Sequence, residues 1–204
     1  MSQCKCLKIT HDYTAFCRAI KKNHVACVAT LVHQRRELES LLIYRAAKAG
    51  HLEIMESLVT AGCPWNPHTF NVALATGNLA LVQYLKERGC PVPFVKFNYN
   101  GHLHILQYLY EQGYELSSDI CISAAKNGWC DCLKYAISIS CPLSEEVALT
   151  AFNAGRTKIL DLLYDNDCEL PLICSWNNDS IVRKGQLQVL KHLEEQGLPL
   201  PIMK

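Results

Sequence analysis

Three apolar positions return together along most of this chain, four, five and eight residues after a landmark residue. With Gly50 as the landmark they are Ile54, Met55 and Leu58. The landmark recurs as Asn23, Gly77, Gly101, Gly128, Gly155 and Gly185, so that successive intervals are 27, 27, 24, 27, 27 and 30 residues. All 21 positions so defined are apolar, from Cys27, Val28 and Leu31 to Val189, Leu190 and Leu193. Positions +4, +5 and +8 lie on one face of a helix, so the pattern predicts a buried helical stripe after each landmark. Positions −7, −4 and −3 are mostly apolar as well (Phe70, Ala73 and Leu74 in one copy) and predict a shorter helix before it.

A second landmark lies twelve residues beyond the first, as Arg35, Gly62, Gly89, Gly113, Ser140, Asp167 and Gly197. Constant spacing inside the unit with slightly variable intervals marks a repeated supersecondary unit with adjustable loops. Each unit therefore reads as a short helix, a turn, a longer helix and a loop often opened by Gly-Cys-Pro. Gly suits a helix end, and Pro stops the next helix from starting early. One such pair cannot bury its apolar face alone, whereas stacked pairs can. The divisions are an N-terminal cap at 13–39, internal repeats at 40–66, 67–93, 94–117, 118–144 and 145–171, and a C-terminal cap at 172–204. The 94–117 copy is three residues short, so irregular stacking is expected there.

The stretch from Ala46, AAKAGHLEIMESLVTAG, resembles the core of an ankyrin repeat, and the resemblance covers about residues 13–204. Copies that continue into GCPW, as at Gly62–Trp65, are similar to the short ankyrin repeats of amoebal giant viruses and some protists. The Thr-Pro-Leu-His opening of the family is absent; only HTFNVA, His68 to Ala73, comes near it. The period of 27 falls short of the usual 33, so the protruding hairpin finger should be largely missing. The resemblance implies an all-α, ankyrin-like helix-turn-helix solenoid of about seven repeats with shortened hairpin loops. It implies protein binding on the surface lined by the first helices, and turn hydrogen bonding by the residue after the landmark, His51 and His102.

Composition narrows the remaining choices. Of the 204 residues 50% are apolar and 19% charged, which excludes a disordered chain, and a net charge of +1 gives no general attraction to nucleic acid or membrane. No apolar run is long enough to span a bilayer, and the opening MSQCKCLKITHDY lacks the apolar stretch of a signal peptide. A cytoplasmic or nuclear location is expected, and in such a compartment the twelve cysteines are free thiols. No phosphate loop, HExxH, GxSxG or CxxC is present, so an enzyme is not expected, nor any cofactor. Cys4, Cys6, His11 and Cys17 form a cluster that could hold a metal, although their spacing matches no familiar zinc site. Cys63, Cys90, Cys141 and Cys168 share position +13 and read as structural, as do Cys130 and Cys132. Trp65, Trp129 and Trp176 read as packing residues.

The outward positions of the first helices should be −5, −2 and −1. They carry Arg18, Lys21, Lys22, Arg45, Lys48, Lys96, Lys126, Arg183 and Lys184, together with Tyr99, Asn100, Asn127 and Asn153. Nine of these 21 outward positions are basic and none is acidic, while the acids gather on the second helices, as at Glu53, Glu56 and Glu87. The last turn of a helix attracts cations to its negative end, which accounts for Lys21, Lys48, Lys126 and Arg183 without any partner. It does not account for the absence of acids at −5. The expectation is a basic concave groove that binds an acidic protein segment. A structural, self-associating component and a recruiting adaptor for a ubiquitin ligase are the alternatives. Thinning of the basic residues at Val72, Ala75 and Thr76 argues against nucleic acid.

Overall fold

Eleven α-helices and no strand occur among the described residues of a computed structural model. The residues described are 12–34, 38–92, 97–166, 168, 189, 191, 192, 194, 195 and 197. In chain order the helices are α1 (Asp12–Lys21), α2 (Val25–Gln34), α3 (Ser40–Ala49), α4 (Leu52–Thr60), α5 (Thr69–Thr76), α6 (Leu79–Glu87), α7 (Leu103–Glu111), α8 (Ser118–Asn127), α9 (Cys130–Ser138), α10 (Glu145–Asn153) and α11 (Thr157–Tyr164). The chain divides into two compact units, Met1–Ile105 and Leu106–Lys204. Within the first, α1 packs on α2, α3 on α4 and α5 on α6; α3 also packs on α1 and α5, and α2 on α4. The second repeats the arrangement, with α8 on α9, α10 on α11, α8 on α10 and α9 on α11. Each unit is thus a set of helical hairpins whose like helices lie side by side.

The turn residues set this arrangement. Every described landmark has a positive φ, including the non-glycine residues Asn23 (54°) and Ser140 (57°). A left-handed residue there lets two backbone N–H groups turn back onto the last carbonyls of the helix. Gly50 N–H bonds to the carbonyl of Ala47 and His51 N–H to that of Ala46; Gly62 and Cys63 do the same to Val59 and Leu58, and Ser140 and Cys141 to Ile137 and Ala136. In this motif the residue after the turn rests against the helix three positions before its end. That residue is the +13 cysteine, so a small apolar side chain serves there: Cys63, Cys90 and Cys141 are buried.

The +4, +5 and +8 stripe is buried in every copy where it is described, from Cys27, Val28 and Leu31 to Ile159, Leu160 and Leu163, and so is Val189. The first helix was expected to be the shorter one, and among the described hairpins this holds for α5, with 8 residues against 9 in α6, but not for the others. The helix α3 has 10 residues against 9 in α4, and α8 has 10 against 9 in α9. Position −8 (Ala15, Leu42, Thr69, Ile120 and Val147) is buried as well, extending the buried face one residue beyond −7. The short 94–117 copy departs further. Residues 97–99 are not helical, and Asn100 and Gly101 both take positive φ, 46° and 78°. The chain reverses immediately before α7 and turns Tyr99 inward, leaving it 1% exposed.

Two consequences for stability follow. Thr69 is fully buried and its hydroxyl has no hydrogen-bond partner. Leaving such a group unsatisfied costs about 1–3 kcal/mol, and the equivalent residues are apolar. Thr69→Val, nearly the same shape, should therefore stabilise the protein by about 1 kcal/mol, read as a higher urea midpoint at unchanged slope. The second concerns alkaline pH. Burial pushes the thiols of Cys63 and Cys90 up from an ordinary 9.0 to about 11 and about 12. The folded state holds these protons longer than the unfolded chain, so stability is complete below pH 9 and is lost as pH rises toward 11–12. The urea midpoint should fall over that window, and fall less when both residues are Ala.

Candidate functional site

Positions −8, −7, −4 and −3 of each first helix point into the core, which forces −5, −2 and −1 outward. Arg18, Lys21 and Lys22 at the end of α1 are exposed, as are Arg45 and Lys48 on α3. The Arg45 guanidinium donates through Nε to the Tyr13 hydroxyl at 3.2 Å and lies 5.7 Å from that ring's centroid. That hydrogen bond holds its pKa above the ordinary value. The side chains of Arg18, Lys21, Lys22 and Lys48 have neither an ion pair nor a hydrogen bond among the described residues. In the second unit Lys126, Asn127 and Asn153 are exposed, and the Asn127 amide donates to the Ser123 carbonyl of its own helix end.

Other expected positions differ. Tyr99 is a core residue rather than a contact residue, because the shortened copy has no first helix over 97–99 to hold it outward. Asn100 is exposed, but it is the left-handed turn residue and its amide donates to the Ala75 carbonyl at 3.4 Å. Lys96, Arg183 and Lys184 lie outside the described residues, as do Cys4, Cys6 and His11 of the metal-ligand expectation and Trp176. Cys17 is half-buried on α1, and no group of three or more His, Cys, Asp or Glu residues among the described ones could hold a metal ion. Trp65 and Trp129 are half-buried.

The basic face of the first unit holds an open cleft of about 660 Å³ between α3 and α5. Tyr44, Lys48, Ala49 and Gly50 form one wall, Val72, Ala75 and Thr76 the other, with Asn78 and Asn98 completing it. Several of its polar groups are already engaged. The Thr76 hydroxyl donates to the Ala73 carbonyl at 2.7 Å and accepts from the Asn78 N–H. The Asn78 side chain accepts from Leu81 N–H at 3.1 Å, capping α6, and donates to the Gly50 carbonyl at 3.1 Å. The Tyr44 hydroxyl and the Lys48 ammonium have no partner among the described residues. Tyr44 sits at position −6, one helical turn before −2, and helical geometry alone could have placed it beside Lys48. A second cleft of about 770 Å³, between α2 and α4, is lined by Val25, Ala29, Val32 and His33 and by Glu53 and Glu56. The two clefts of the first unit therefore differ in charge: an ammonium in one, two carboxylates in the other.

In three copies the residue after the landmark joins neighbouring hairpins. Asn78 reaches the Gly50 carbonyl, His102 Nε2 lies 3.3 Å from the Ala75 carbonyl, and Arg156 Nε donates to the Lys126 carbonyl at 3.3 Å. His104 adds a 2.7 Å hydrogen bond to the Gly77 carbonyl. Each acceptor belongs to the end of the preceding first helix or its turn, where carbonyls lack partners inside the helix. The His102 ring also lies where a Cβ at Gly77 would stand, 2.8 Å away, so this turn needs glycine for space as well as for its φ of 71°.

No protein-family model matches the chain, and no curated protein matches it.

Asn78 carries both a helix cap and an inter-hairpin bond. Asn78→Ala should cost about 1–2 kcal/mol, measured by chemical denaturation, while Asn78→Asp, which keeps the cap, should cost less.

Proposed function

We propose that the chain is a helical-repeat protein of ankyrin type whose first unit binds an acidic segment of another protein on the face of α1, α3 and α5, with no chemistry of its own. What carries the reading is the α3/α5 cleft. It offers an unpaired ammonium and an unpaired phenol hydroxyl, Lys48 and Tyr44, with no carboxylate in its lining. Arg18, Lys21 and Lys22 continue the positive charge along α1. A carboxylate entering the cleft would receive one charge-assisted and one neutral hydrogen bond. The cations outside it would attract further acids at longer range and speed encounter. The repeat reading draws support from the hairpin packing inside each unit and from the recurring left-handed turns.

Helix-end electrostatics alone would favour cations at Lys21 and Lys48 by about 0.3–1 kcal/mol. Reversing them would then leave binding untouched, so the two accounts separate by experiment. A displayed peptide library selects ligands of the full chain, and one acidic ligand is titrated against the wild type and against the double variant Lys21→Glu, Lys48→Glu. Both substituted side chains are exposed, and circular dichroism checks the fold. The double variant should bind about tenfold or more weakly, and raising salt from about 0.05 to 0.5 M should weaken only the wild type strongly. Selection of ligands without acidic bias, or equal affinity for both proteins, would overturn the reading.

A further inference from the structure

The cleft between α2 and α4 has no part in the basic face, and its lining is of two kinds. The floor is apolar. Val25, Ala29 and Val32 stand at i, i+4 and i+7 of α2, so they share one helix face, and all three are only half-buried. Position +6 leaves room there: α2 carries Ala29, whereas α4, α6, α7, α9 and α11 carry the larger polar residues Glu56, Gln83, Gln107, Lys134 and Asp161. The space is about 770 Å³ and open to solvent. The rim is anionic. Glu53 and Glu56, three residues apart on α4 and therefore neighbours on its surface, are both exposed. Neither carboxylate has an ion pair or a hydrogen bond among the described residues. No Lys or Arg occurs in α2 to neutralise them.

We infer that this cleft is a second docking site of the first unit, which takes a basic segment of a partner protein. A lysine or arginine side chain matches both halves of the lining: its methylene stem covers the apolar floor while its charged end reaches the rim. An arginine there can meet a carboxylate through two parallel hydrogen bonds. Charge complementarity selects this occupant over others. An acidic segment would face two unpaired carboxylates, and a purely apolar one would strip water from them without pairing them. The site belongs to second helices, whereas Lys48 and Tyr44 belong to a first helix, so the unit presents opposite charges on different helices. The inference does not depend on the acidic-segment reading of the α3/α5 cleft.

The test titrates the full chain into fluorescein-labelled hexa-arginine and into hexacitrulline, whose side chains have arginine's shape without its charge. Anisotropy at about 0.05 M salt reads the binding. Hexa-arginine should bind with a Kd tighter than about 1 mM, and hexacitrulline at least about tenfold more weakly. The double variant Glu53→Gln, Glu56→Gln should weaken hexa-arginine about tenfold. Ala29→Gln, which gives α2 the residue that α6 and α7 carry at +6, should weaken it as well with no change of charge. Circular dichroism checks the fold of each variant. Lys21→Glu, Lys48→Glu should not weaken hexa-arginine, which keeps this result separate from the test of the α3/α5 cleft. No binding of hexa-arginine, equal binding of hexacitrulline, or unchanged affinity in either cleft variant would overturn the proposal. So would self-association of the full chain in sedimentation that Ala29→Gln abolishes, since a second copy would then be the occupant.

Discussion

The fold depends on residues held in the left-handed region of backbone space. In the described turns one residue takes positive φ, and its own N–H and the next close onto the last carbonyls of the preceding helix, as at Gly50, Gly62, Ser140 and Gly155. The direction of every connection is set there. Glycine meets the requirement without strain; Asn23 and Ser140 meet it at a cost L-residues normally avoid. All nine glycines at positive φ among the described residues stand at the two landmark positions of the repeat.

Because both landmarks follow from local chemistry, they were legible without coordinates, and so was the stripe at +4, +5 and +8. Leu81, Val82 and Leu85 are buried as their spacing requires. Less legible was position −8. Its occupants run from Ala15 to Thr69, and a polar residue in the series hides the apolar face from a reading based on hydrophobicity. The first helix was expected to be shorter than its partner in every hairpin, which holds only for α5 among those described. Tyr44 was missed for a related reason: position −6 is half-buried in all copies described and carries no constant residue type.

The 94–117 copy shows where a repeat register stops being informative. Three fewer residues cannot be removed from a helix without rotating every side chain after the deletion, since three residues fall about 60° short of one turn. The chain instead gives up helix over 97–99 and reverses at Asn100 and Gly101, so Tyr99, nominally outward, becomes core. Register arithmetic assumed continuity of conformation, and the deletion removed it. Among the candidate site residues the exposed cations survive this correction because their helices, α1 and α3, are regular on both sides of the turn.

The joints between hairpins carry an evolutionary consequence. The donor is a side chain, Asn78, His102 or Arg156, but the acceptor is always a main-chain carbonyl. A carbonyl is present whatever residue occupies the position, and three chemically unlike donors reach it. A unit that carries such a donor thus finds a receptor on its predecessor, with no matched side chain needed there. Such one-sided joints permit duplication, loss and reshuffling of whole units by recombination, while point substitution diversifies the exposed positions between them.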